Sequence, residues 1–112
     1  MTTLLALYRR PEGGAEALDT FERRYTEEHL PLVANTPGLH RIHAQRVVEA
    51  LGEETDLILI TAMEFDSREA LDEGLRSDAM RQAGRNLREI APGLSTLLVL
   101  EDAPDIVPEI GS

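Results

Sequence analysis

The sequence predicts an α+β fold, a four-stranded antiparallel sheet carrying its helices on one face. Three observations predict it. Strand-like apolar runs and stretches of helical spacing follow the order β-α-β-β-α-β across 112 residues, the split βαβ arrangement of ferredoxin-like domains, with strands lying 4-1-3-2. Turn and capping residues stand at the joints between these runs. LILITAMEF at 57–65 is apolar enough for a central strand, whereas HRIHAQR at 40–46 is polar enough for an edge.

Each element has its own warrant. TTLLALY at 2–8 reads as a strand closed by the PEGG loop at 11–14. From Ala15 to Asn35, Leu18, Phe21, Tyr25 and Leu32 keep helical spacing, and NTPG at 35–38 ends the pattern. Strand-like residues from Leu39 to Val48 meet the turn GEETD at 52–56 and return through 57–65 as a hairpin. Asp66 and Glu69 have capping-box spacing, with Asp66 in the cap position, for a second helical region starting at Ser67. Gly74 and Ser77-Asp78 break it, and Ser77 caps a new segment in which Met80, Ala83, Leu87 and Ile90 share one face. Pro92-Gly93 stops that helix ahead of a last strand, LSTLLVL at 94–100. The expected domain covers 1–103, and residues 104–112 form an acidic tail. From Glu101 onward the chain has four acids, two prolines and no base, which suits an extended or partly disordered arm.

Composition excludes several function classes. Cysteine is absent, so disulfides, thiolate nucleophiles and cysteine-ligated metal sites are excluded. All eleven basic residues are arginine, so lysine Schiff-base chemistry is excluded too. Twenty-one acids against eleven bases give a net charge of -10, which repels phosphate backbones and anionic membranes; neither nucleic acid nor membrane is an expected partner. No apolar run approaches the roughly 18 residues of a membrane span. The first apolar run lacks a basic segment before it, so it reads as a strand and the cytoplasm is the default location.

A helix layer covers one face of a sheet, and the other face should then alternate apolar with polar residues. Leu57 to Ile60 and Leu97 to Leu100 are instead apolar at consecutive positions. Such a patch predicts a homodimer closed sheet against sheet.

LYRRPEG followed by FERRYTEEHLPLVANTPGL resembles the EthD family of dimeric α+β barrel proteins. The resemblance rests on Phe21, Tyr25, Glu27, His29, Pro31, Leu32, Pro37, Gly38 and Leu39 and covers about the first 45 residues. It implies a homodimeric barrel with a cleft between helix and sheet in each subunit. It also implies a small aromatic or polyketide-like ligand, no metal and no cofactor. The activities it suggests are those of a lyase or isomerase, or of an accessory protein in an oxidative degradation pathway. A shared fold by itself transfers no reaction.

His29 is the candidate general acid or base. At about 100° per residue, Leu18, Phe21, Tyr25, His29 and Leu32 fall within roughly 80° of arc, so His29 faces the sheet. A partly buried imidazole titrates near neutrality and can move a proton at an acidic carbon or a carbonyl, the task in decarboxylation, dehydration or isomerisation. The alternative is a structural imidazole satisfied by neighbouring polar groups. Pro31 should bend or end the helix, opening space beside His29. Tyr8, Tyr25, Phe21 and Leu32 are the candidate substrate-binding residues, the tyrosines as donors to a ligand oxygen or as core anchors. Arg9, Arg10 and Arg46 are candidate partners for a ligand carboxylate. His40 and His43 lie three apart on a strand and point to opposite faces, so they do not form a metal pair. Glu27 and Glu28 lie about 200° and 100° around the helix from His29 and are not expected to share a metal with it.

Overall fold

The computed structural model describes residues 1–106. Its strands are β1 (Thr2–Arg9), β2 (Leu39–Arg46), β3 (Leu57–Phe65) and β4 (Ser95–Glu101). They form one antiparallel sheet in the order β2-β3-β1-β4, the predicted arrangement with the polar β2 at an edge. The acidic tail expected at 104–112 is described only to Ile106, with a turn at 104–106; the rest lies outside the described residues.

The alternation of β1 decides where the core sits. Leu4, Ala6 and Tyr8 are buried beneath the helices, whereas Thr3, Leu5 and Leu7 on the opposite face are half-buried. The register carries both faces across the sheet. Leu4 lies opposite Met63 and Ala6 opposite Thr61 on the covered face, while Leu5 lies between Ala62 and Leu98, and Leu7 opposite Ile60, on the open one.

The first helical region runs as three joined pieces: α1 (Gly14–Arg24), a π-helical turn (Tyr25–His29) and α2 (Leu30–Ala34). Pro31 neither ends nor breaks it. Leu30 keeps helical angles (φ -58°, ψ -40°), and its N–H reaches back five residues to the Tyr25 carbonyl. A helical proline ring clashes with the carbonyl four residues back. For Pro31 that residue is Glu27, inside the widened turn, so the π turn absorbs the misfit that was expected to bend the chain.

The second helical region is α3 (Arg68–Leu75) and α4 (Asp78–Ile90). Its N-cap is Ser67, whose hydroxyl accepts from the Ala70 N–H at 3.1 Å, and not Asp66, which instead sits 2.9 Å from His40 Nε2. Ser77 caps α4 as expected, accepting from Met80 N–H at 3.2 Å. Gly74 lies within α3 instead of breaking it. A Cβ there would come within 2.9 Å of Phe65 and 3.0 Å of Thr36, so glycine allows the helix to close on β3.

Candidate functional site

Phe21, Tyr25, His29 and Val33 are buried at strict four-residue steps along the first helical region. An α-helix of 3.6 residues per turn would let such a series drift by about 40° at each step. The π turn, closing over five residues where an α turn closes over four, counters that drift and keeps the row facing the sheet. The rings touch as a continuous cluster. Tyr8 from β1 stands 5.7 Å from Phe21 and 5.0 Å, edge-on, from Tyr25. Tyr25 stands 5.2 Å from the imidazole of His29, tilted by 30°.

Beyond His29 lies an apolar cavity of about 170 Å³. Leu4 and Tyr8 of β1, Met63 of β3 and Leu97 of β4 form its floor, and Met80, Ala83, Gly84 and Leu87 of α4 its roof. His29 and Val33 close one side. Its mouth is at Leu75 and Leu97, both exposed.

Burial holds the His29 pKa below its ordinary value of 6.5, against opposing hydrogen bonds to Asn86 and the Ala83 backbone. Burial thus favours the uncharged ring. Its Nδ1 lies 3.2 Å from Asn86 Oδ1, and Asn86 Nδ2 donates to Glu28 Oε1 at 3.0 Å. Arg24 donates to both Glu28 oxygens, from Nε at 2.8 Å and from Nη2 at 3.0 Å, and its Nη2 also reaches Glu89 at 3.0 Å. The Arg24 bond holds the Glu28 carboxyl below the usual carboxylate range, with burial opposing. Burial raises both phenols, with Tyr25 adding to the rise at Tyr8. The Tyr25 hydroxyl lies 2.7 Å from buried Thr61 Oγ1.

The predicted residues are thus partly gathered. Tyr8 and His29 share the cavity, and Phe21 and Tyr25 back it within the ring cluster. Tyr25 also lines a second hollow of about 180 Å³ with Leu30, Ala44 and Leu59, across whose rim Arg46 pairs with Glu22 at 2.9 Å. Leu32 is partly buried against the core and lines neither space, whereas its neighbour Val33 lines the cavity. Arg9 is held by Thr96 and the Gly93 carbonyl at 3.0 and 2.8 Å. Arg10 lies beside Glu49, Glu53 and Glu54, away from His29. Sequence reasoning missed Asn86 and assigned Glu28 no role. The available signal was an asparagine inside a helix, where its side chain competes with backbone hydrogen bonding.

The model of the EthD domain matches residues 15–90. This chain belongs to the EthD family. The chain superposes on an EthD family protein of Bacillus halodurans with a TM-score of 0.83 and 30% identity, covering 92% of this chain and 99% of that one. A dimeric ferredoxin-like protein of unknown function from Bacteroides fragilis matches with a TM-score of 0.66 and 17% identity, over 90% and 95% of the two chains. SnoaB, a cofactor-independent oxygenase from Streptomyces nogalater, matches with a TM-score of 0.58 and 18% identity, over 96% and 97%. Both of these share the fold of the EthD domain. No curated protein matches the chain.

Proposed function

We propose that the chain binds a small aromatic or polyketide-like molecule in the cavity beneath α4, and that His29 acts on it as a general base in a cofactor-free elimination or isomerisation. One observation carries this reading: a buried imidazole, whose charged form burial disfavours, forms part of the wall of an otherwise apolar cavity. An apolar cavity of about 150 Å³ accommodates benzene, so about 170 Å³ suits a single ring, with larger portions of a ligand leaving through the Leu75–Leu97 mouth. The neutral ring takes a proton from a carbon made acidic by an adjacent carbonyl, and the resulting imidazolium returns it at another position or to a leaving group. Tyr8, kept un-ionised by burial, lines the same cavity and can donate to the carbonyl oxygen by giving up its hydrogen bond with Tyr25. Phe21 and Tyr25 support the site through ring contacts, and Leu32 packs against the core.

The same reading makes the protein a homodimer closed through the open sheet face, and the Bacteroides fragilis neighbour is itself dimeric. Leu5, Leu7, Ile60, Ala62, Leu98 and Leu100 give that face an apolar centre. A second reading, a binding or accessory protein without turnover, is favoured by the scarcity of ionisable groups: His29 and Tyr8 are the titratable residues among those lining the cavity. Thermal shift against a panel of single-ring carbonyl compounds identifies the ligand, because binding to the folded state raises the midpoint. Turnover of that ligand lost in His29→Ala supports catalysis. Binding without turnover in the natural protein selects the accessory role, and absence of any shift across the panel removes both.

A further inference from the structure

We propose that Glu28 sets the tautomer of His29 through Asn86, leaving Nε2 as the proton-accepting nitrogen. An unconstrained neutral imidazole places its proton on either nitrogen, so something must choose. Glu28 is ionised and only accepts hydrogen bonds. Its contact with Asn86 therefore uses the Nδ2 N–H, at 3.0 Å. That fixes the amide, which turns its Oδ1 toward His29 Nδ1 at 3.2 Å. An amide oxygen also only accepts, so Nδ1 carries the hydrogen and Nε2 keeps the lone pair, the Ala83 carbonyl that the ring also meets being left to share the Nδ1 hydrogen. Arg24 anchors the start of the chain by gripping both Glu28 oxygens. The relay spans the π turn and α4, so closing the two helices on each other also selects the reactive nitrogen. Asn86 and Glu28 are positioning residues, and their catalytic consequence rests on the reading of His29 as a base.

The test is an isosteric exchange read by nitrogen NMR. In Glu28→Gln, Arg24 Nη2 retains Glu89 as an acceptor, whereas Arg24 Nε has Glu28 Oε2. The glutamine therefore keeps its oxygen toward Nε and turns its NH₂ toward Asn86. Asn86 must then flip and present Nδ2 to His29, moving the imidazole proton to Nε2. Long-range proton–nitrogen correlation spectra at about pH 8, above the ordinary histidine range, distinguish the two nitrogens; the signals absent from His29→Gln identify the residue. The natural protein should show protonated Nδ1 and bare Nε2, Glu28→Gln the reverse, and Asn86→Leu a mixture. Protonated Nε2 in the natural protein, or an unchanged pattern in Glu28→Gln, overturns the proposal. Failure of the catalytic reading is separate: a fully active His29→Ala enzyme would discard the base while leaving the tautomer result intact.

Discussion

The two faces of the sheet use similar side chains to different ends. Beneath the helices, Leu4, Ala6, Met63 and Phe65 are nearly or wholly inaccessible. On the other face, Leu5, Leu7, Ile60 and Ala62 occupy the intervening positions of the same two strands yet stay half-exposed. Strand propensity cannot separate them, because neighbouring residues share one backbone. What separates them is the layer above: helices supply it on one side, and on the other the proposed second subunit would supply it.

Substitutions on the two faces should therefore fail in different ways. Phe65→Ala on the covered face should cost about 3–5 kcal/mol of unfolding free energy, measured by urea titration, because a fully buried ring leaves a cavity. Ile60→Asp on the open face should convert the dimer to a monomer in sedimentation velocity at micromolar concentration. The monomer itself should keep its fold within about 0.5 kcal/mol, as ordinary surface substitutions do; global unfolding, or an unchanged dimer, would erase the distinction between the faces. Thr61→Val removes the partner of the buried Tyr25 hydroxyl and should cost about 1–3 kcal/mol, seen as a lower thermal midpoint.

The smallest effect is a dependence on pH. His29 has a lower pKa folded than its ordinary 6.5, so the unfolded chain binds more protons between those two values. Stability contributed by His29 is full above about 6.5 and declines as pH falls toward the folded pKa. The difference in stability between the natural protein and His29→Gln should change over that acidic interval and remain constant above it.

The strands and their order were legible because period-two alternation and turn chemistry are local, and a polar β2 leaves few choices for the edge. Cap identity was less legible. Asp66 and Ser67 are both good caps, and the contact of Asp66 with His40 comes from β2, far along the chain. The ring cluster was readable from spacing, and so was the inward direction of His29. Val33, and not Leu32, lines the cavity, because a uniform 100° per residue cannot represent an inserted π turn. Asn86 was overlooked for a different reason: an asparagine inside a helix is a local signal, but its partner His29 lies 57 positions away in sequence and nothing local names it.

The π turn also constrains how the chain can change in length. It holds one residue more than an α turn, so deleting any single residue between Tyr25 and His29 would restore a regular ladder, apart from the Pro31 clash that the wider turn relieves. Yet such a deletion would rotate everything beyond it by about 100° relative to α1, parting His29 from Asn86 or Phe21 from Tyr8. The extra residue thus acts as a phase marker for the helix. Substitutions around the cavity can vary its shape freely, whereas a length change within these five positions resets the frame in which every ring is aimed.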